Sequence, residues 1–232
     1  MKTIIAIDGP DYSGKTHAVS SLYNFLSKTM LVERHREPGG TLVGEAVRDI
    51  VKGNSLSNTS NLFAMLLSRS VLLEHVAESP TNLHIFDRSD MSTYAYQCEY
   101  MKDNEADRVF AATRTILNRP FEEPVNRIYI VLDVNGKVSA QRKLECSDRD
   151  TADLENDAIE KAYSDADRLS GCYRKAVSKY REWNLAEPEN ITLIDTSELT
   201  IEQTVGKVIE FVKDRLEEIY AGNIRFNESK SI

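Results

Sequence analysis

Short apolar runs separated by longer amphipathic stretches set the outline of this chain. The runs fall at residues 3–7, 30–33, 83–86, 128–133 and 191–194, and each reads as a buried strand. Between them apolar positions recur at helical spacing. Residues 61–76 carry Leu62, Met65, Leu66, Leu72, Leu73 and Val76, and residues 201–219 carry Val205, Val208, Ile209, Val212 and Leu216. Alternating strands and helices predict an α/β fold, a five-stranded parallel sheet flanked by helices on both faces. Ligand sites in such sheets lie beyond the C-terminal ends of the strands, and the residues with chemistry to offer cluster there.

The first run is followed by Gly9-Pro10-Asp11-Tyr12-Ser13-Gly14-Lys15-Thr16, and a helical pattern then extends from Lys15 to about Lys28. Strand, glycine loop and helix N-terminus together make a phosphate cradle of the form G-x-x-x-x-G-K-[ST]. Backbone N–H groups of the loop face the phosphates, Lys15 reaches the terminal ones, and Thr16 suits a Mg²⁺ ion. A nucleoside triphosphate is the expected ligand.

Bulk properties narrow the picture. A chain of 232 residues with no low-complexity linker reads as a single domain over residues 1–220, with a polar tail at 221–232 expected to be poorly ordered. The formal charge of −8 speaks against a general nucleic-acid binder, which needs a basic face. No apolar run approaches the roughly 20 residues that cross a membrane, and the chain enters a strand without a basic leader, so a cytoplasmic location is expected. Cys98, Cys146 and Cys172 are too scattered for a disulfide framework or a zinc site.

Two further motifs follow later strands. Arg36-Glu37-Pro38-Gly39-Gly40-Thr41 continues into Gly44-Glu45-Ala46-Val47-Arg48, and Asp87-Arg88 leads into Ser92-Thr93-Tyr94-Ala95-Tyr96-Gln97. With the glycine loop, these runs resemble the thymidylate kinase family over nearly the whole chain, from Met1 to about Tyr220. The resemblance implies a three-layer P-loop kinase fold with a helical lid, at about residues 142–168 here. It implies transfer of a phosphoryl group from Mg-ATP to dTMP, giving ADP and dTDP.

Residue types support such a reaction, because it asks for positioned positive charge more than for covalent chemistry. Arginine forks chelate phosphate oxygens in fixed geometry and stay charged. By resemblance, Arg48 and Arg88 hold the acceptor phosphate and Arg36 opens the loop that lines its pocket. Pro38 matches a proline preceded by a cis bond. Asp11 matches the acidic residue at the acceptor sugar's 3′-hydroxyl, and Asp87 the aspartate that works through Mg²⁺ or its bound water. Tyr12, Ser13 and Gly14 complete the ATP loop.

For the acceptor base, Arg69 matches a donor to thymine O4 and Thr93 the contact to the pyrimidine N3 edge. Tyr96 matches the aromatic that fills the space of a 2′-hydroxyl. Ser92 and Gln97 flank these positions. One departure stands out. The family stacks an aromatic on the base four residues before the helix arginine, and here that position is Met65, one helical turn from Arg69 on the same face. Phe63 falls on another face and cannot simply substitute. Methionine is the more adaptable side chain, so two acceptors stay open: dTMP itself, or another 5-modified deoxypyrimidine monophosphate such as 5-hydroxymethyl-dUMP.

The loop carries Tyr12 where some members carry a catalytic arginine. Arg142, Lys143 and Asp148-Arg149 fall where other members supply that charge from a lid, so Arg149 is expected on the transferred phosphoryl, with Arg142 in support. The segment after Arg149 is longer and more acidic than the family's lid. Tyr163 and Tyr173, further on, read as core residues. The family commonly forms homodimers through packed helices, and residues 62–76 and 109–117 could supply that face. A nucleotide-operated switch is disfavoured by the absence of an N-K-x-D guanine motif, and an inactive scaffold by the retention of Lys15, Thr16, Asp87 and Arg88.

Overall fold

Ile4 and Ala6 face one side of a parallel sheet and Ile5 and Ile7 the other, so the first strand, β1 (Thr3–Asp8), is buried on both faces. That is why its sequence is continuously apolar rather than alternating. In the computed structural model, which describes residues 1–53, 56–97, 100–145, 156–183 and 185–221 (side chains of 103, 104 and 156–162 aside), β1 is the centre of five strands. The others are β2 (Val32–Arg36), β3 (Leu83–Asp87), β4 (Asn126–Asp133) and β5 (Ile191–Asp195). All pair in parallel in the order β2-β3-β1-β4-β5.

Helices cover both faces. Helix α1 (Lys15–Leu26) and the last helix, α8 (Ile201–Ile219), pack Ala18, Val19, Leu22, Val208, Val212 and Leu216 against Ile5, Ile7, Ile85 and Ile130. On the opposite face lie α3 (Asn58–Glu78), α4 (Asp90–Gln97), α5 (Asp103–Leu117) and α7 (Asn156–Glu182), over Ile4, Ala6, Phe86, Tyr129 and Val131. Each fully buried aliphatic side chain contributes about 1.5–3 kcal/mol relative to exposure. Helices α2 (Leu42–Lys52) and α6 (Gly136–Glu145) pack against α3 and α7. The expected α/β architecture is the observed one.

The second strand differs from its expected position, 30–33. Leu31 is 84 % exposed, and the strand runs instead through the polar stretch Val32–Arg36. This is an edge strand with one side open to solvent, so apolar content does not mark it. Its pairing with β3 fixes its place, with Glu33 opposite His84 and Arg36 opposite Asp87. The helix expected at 61–76 starts earlier, where Ser57 Oγ caps it by accepting from Ser60 N–H. Helix α8 carries a reciprocal box between Thr200 and Gln203 and spans the expected residues. Among the described residues no helix is long and apolar enough to cross a membrane. Arg149, Cys98, Cys146, the middle of the expected lid (146–155) and the tail from residue 222 lie outside the described residues.

Candidate active site

Helix α1 begins without a side-chain cap. Its N-cap is Gly14, in the left-handed region at φ 96°, so the first N–H groups of the helix are left for a ligand. The loop before it is equally committed. Gly9 has φ 141°, and a Cβ there would stand 2.2 Å from the Leu132 carbonyl oxygen, so only glycine lets the loop turn against β4. Ser13 Oγ is buried without a hydrogen-bond partner among the described residues, a hydroxyl placed in the loop and not used by them.

Lys15 is 7 % exposed and its ammonium donates to the Pro10 carbonyl, folded back over its own loop. Burial pushes this amine down to about 7, with the Arg88 charge adding to the effect and Asp11, Asp87 and Asp8 opposing it. From α6, Arg142 donates to the carbonyls of Tyr12 (3.2 Å) and Thr196 (2.7 Å), tying the glycine loop to the segment after β5.

Arg88 follows β3 with φ 74°, a strained backbone for a bulky residue. Its N–H donates to Ile7 O at 3.0 Å, and its guanidinium is held by Asp11 Oδ1 at 2.5 Å, with Tyr96 Oη at 3.4 Å and Tyr173 Oη at 3.3 Å. The Tyr96 ring also lies under the guanidinium, 5.4 Å from its centre. A directional relay continues below. Ser92 Oγ donates to Asp8 Oδ1 at 2.6 Å, which leaves it to accept from Tyr173 Oη at 2.8 Å. Asp8 also accepts from Ser89 N–H and Ser89 Oγ. Burial raises the Asp8 carboxyl, and the three hydrogen bonds from Ser89 and Ser92 pull it back.

The loop after β2 is fixed by Glu45, which accepts from Arg36 Nη2 (2.8 Å) and Gly40 N–H (2.9 Å). Arg36 holds this carboxyl below its usual range. The Glu37–Pro38 bond is cis, and the Pro38 carbonyl accepts from Arg48 Nη1 at 3.1 Å. Beneath it, Arg69 Nε and Nη2 both donate to Glu37 Oε2, and Nη2 also donates to Thr93 Oγ1 at 2.8 Å. Both ionic side chains are under 5 % exposed. Burial works against the Arg69 charge, and the Glu37 carboxylate overrides it.

One cleft of about 820 Å³ gathers Asp11, Tyr12, Ser13, Gly14, Lys15, Thr16, Arg36, Arg48, Asp87, Arg88 and Arg142. Three motifs far apart in sequence are thus brought to one place, at the C-terminal ends of β1, β2 and β3. Arg69, Thr93 and Tyr96 sit one layer back, each bonded to a group that lines the cleft or, for Thr93, through Arg69. Ser92 faces Asp8 and Tyr173. Met65 is 7 % exposed on the Arg69 face of α3, and Phe63 is 66 % exposed on another, as their spacing predicts. Gln97 is half-buried, and its amide oxygen has no partner among the described residues.

Sequence reading gave no role to Asp8, Glu37, Glu45 or Tyr173. Asp8 ends the apolar run before the glycine loop, a position that could have flagged it. Glu37 and Glu45 lie inside the quoted motifs. Tyr173 has no local signal: it is fully buried, as a core residue would be, and only its hydroxyl reaches Arg88.

A glycine loop opening onto a helix and a group of arginines share one cleft of a five-stranded parallel sheet, the build of a nucleoside monophosphate kinase of the P-loop class. Within that class the chain belongs to the thymidylate kinase family, whose family model matches residues 7–208. It is 28 % identical over 215 residues to a thymidylate kinase from Idiomarina loihiensis, covering 89 % of this chain and 96 % of the relative. It is 26 % identical over 220 residues to one from Roseiflexus sp., covering 90 % and 94 %. Its fold is similar to the crystal structure of thymidylate kinase from Ehrlichia chaffeensis, with a TM-score of 0.58 at 21 % identity over 94 % of this chain and 99 % of that one.

Proposed function

We propose that the chain transfers the γ-phosphoryl group of ATP to the 5′-phosphate of dTMP. A phosphate oxygen of dTMP attacks the γ-phosphorus, the bond to the bridging oxygen of ADP breaks, and dTDP and ADP leave. The observation that supports this most directly is the single cleft shared by Lys15 and by Arg36, Arg48 and Arg88. Donor and acceptor phosphates meet there in line, and catalysis is positioning plus charge stabilisation.

Each residue has a part in this reading. The Gly14 and Lys15 N–H groups and the Lys15 ammonium hold the β- and γ-phosphates, and Ser13 offers its unused hydroxyl. Arg142 fixes the loop from above. Arg88 and Arg48 clamp the acceptor phosphate. Asp11 keeps the Arg88 fork in place before the acceptor arrives and then takes the 3′-hydroxyl. Tyr96 occupies the room a ribose 2′-hydroxyl would need, while Arg69 and Thr93 form the polar floor under the base with Met65 as its apolar wall. Arg149 supplies the closing charge.

Thr16 and Asp87 both line the cleft and present hard oxygen donors, a set that fits Mg²⁺. The ion, when bound, neutralises charge on the β- and γ-phosphate oxygens. A homodimer would use the outer side of α3, where Phe63 and Leu67 are more than half exposed one turn apart. The use of ATP and dTMP fits a cytoplasmic enzyme.

An ADP-release assay with Mg-ATP against dTMP, dUMP, 5-hydroxymethyl-dUMP, dCMP, dAMP and dGMP tests the reading. We expect dTMP to lead, in keeping with family membership; a lead for 5-hydroxymethyl-dUMP would refute dTMP as the substrate and make Met65→Phe the first variant to make. ATP consumption independent of any acceptor would remove the kinase reading itself.

A further inference from the structure

Away from the cleft, at the edge of the sheet, three side chains converge that the phosphoryl-transfer reaction does not use. Glu33 and His35 are two residues apart on β2 and so share a face, and β3 places His84 directly opposite Glu33. His35 Nε2 and His84 Nδ1 stand 3.1 Å apart, and Glu33 Oε2 lies 3.7 Å from the first and 3.6 Å from the second. Three donor atoms bound tetrahedrally to one Zn²⁺ at its usual bond lengths stand about 3.3–3.5 Å from one another. The triangle already present is within a few tenths of an ångström of that figure.

We propose that Glu33, His35 and His84 bind a first-row divalent transition ion of the Zn²⁺ type, with a fourth position open to water. Outer partners are in place for two of the three ligands. His84 Nε2 lies 2.9 Å from the Thr81 carbonyl oxygen, which can only accept, so the proton is on Nε2 and the lone pair on Nδ1 faces the cluster. Glu33 Oε1 accepts from Ser79 Oγ at 2.6 Å, and Oε2 is the oxygen nearer the two imidazoles. In the ion-free protein His35 Nε2–H donates to His84 Nδ1 at 3.1 Å; binding moves that proton to His35 Nδ1, so His35 changes tautomer and no net proton is lost. Two neutral imidazoles and one carboxylate are a borderline-soft donor set that suits zinc and not Mg²⁺. His84 is fully buried and Glu33 is about one-third exposed on its side chain, so the ion enters past Glu33. The charge that opposes a cation is the Lys2 ammonium, which is bound to the carbonyls of Ser79 and Thr81. His75, on α3, is the other titratable ring near His35, with 6.4 Å between ring centroids.

An ion here ties the edge strand β2 to β3 directly below Arg36–Glu37 and Asp87–Arg88, where both arms of the acceptor pocket begin. Its role is to hold those arms in register, and it takes no part in the reaction.

The test is Co²⁺ titration of the full chain in excess Mg²⁺, read by visible absorption, followed by Zn²⁺ displacement and a thermal melt. We expect one equivalent of Co²⁺ to give the intense band of a tetrahedral site, Zn²⁺ to bleach it, and Zn²⁺ to raise the melting temperature. Glu33→Gln and His35→Gln should each weaken binding roughly tenfold or more and abolish the Zn²⁺-induced shift, whereas His17→Gln should leave both unchanged. Circular dichroism separates a lost ligand from a lost fold, and Glu33→Gln, at a partly exposed position, is the variant least able to unfold the chain. No stoichiometric band in the wild type, wild-type binding by a folded Glu33→Gln or His35→Gln, or loss of the band in His17→Gln would each overturn the proposal.

Discussion

The Tyr173 hydroxyl joins Arg88 Nη1 at 3.3 Å to Ser92 Oγ at 2.8 Å, linking α7 to the loop after β3 across 85 residues of chain. Arg88 donates to Tyr173, Tyr173 to Ser92, and Ser92 to Asp8, so the fork proposed to meet the acceptor phosphate is anchored to a buried carboxyl at the end of β1. Chains of this kind strengthen each member and fix orientation. Tyr173→Phe keeps the buried ring and breaks only this chain. We expect KM for the acceptor to rise roughly fivefold, as a lost bond of about 1 kcal/mol implies, with little change in KM for ATP. Steady-state kinetics in both substrates checks this; equal effects on the two would point to general loosening instead.

Arg88 itself is a stricter case. Its fork and its strained backbone are both specified by the surroundings, and a lysine offers a point charge without the planar pair of donors. Arg88→Ala should cost roughly 10³-fold or more in kcat/KM for dTMP, and Arg88→Lys should recover only a small part. Near-normal turnover in the lysine variant would show that charge alone suffices.

The Glu37–Arg69 pair is buried on both sides. Removing one member leaves the other charge without a partner, so Glu37→Gln should lower stability by about 3–5 kcal/mol. Glu37→Gln combined with Arg69→Met removes both charges and should be more stable than the single variant. Urea unfolding of the three proteins decides it: a double variant no better than Glu37→Gln would mean that packing, not charge, sets the cost.

Lys15 gives a pH-dependent signature. Its folded pKa is lowered from 10.5 to about 7, so in the free protein it is neutral by pH 8.5 and charged at pH 5.5. Below about pH 7 the folding cost of the buried ammonium is fully present, and it is relieved as pH rises toward 10.5. A bound triphosphate favours the ammonium. At pH 8.5, therefore, binding a non-hydrolysable ATP analogue should take up as much as one proton. Calorimetry in two buffers of different ionisation enthalpy measures this directly. Buffer-independent heats at pH 8.5 would show that Lys15 stays charged in the free protein.

Several parts of this molecule were legible in its sequence because their physics is local. The inner strands β1, β3 and β4 are largely buried on both faces, so they read as mostly apolar runs, and β5 keeps enough buried aliphatic positions to read the same way; α8 carries its periodicity and its cap locally. The glycine loop was legible for the same reason, since Gly9 and Gly14 are needed for backbone shape at those positions. Arg36, Arg48 and Arg88 were singled out by resemblance, through motifs a few residues long, and the fold brings them to one cleft.

What the sequence left undecided depends on contacts between distant segments. The edge strand β2 is polar, and only its pairing with β3 places it at Val32–Arg36 rather than at 30–33. Glu37 becomes the partner of Arg69 and Tyr173 the partner of Arg88 because packing brings together side chains 32 and 85 residues apart. The same is true of Glu33, His35 and His84, whose spacing along the chain gives no ligand pattern and whose cross-strand register makes one. Sequence by itself determined which elements form and which phosphate chemistry they carry, because periodicity and loop geometry are short-range. Tertiary structure alone decided which buried charges meet, because desolvation makes each depend on a partner that only the assembled sheet supplies.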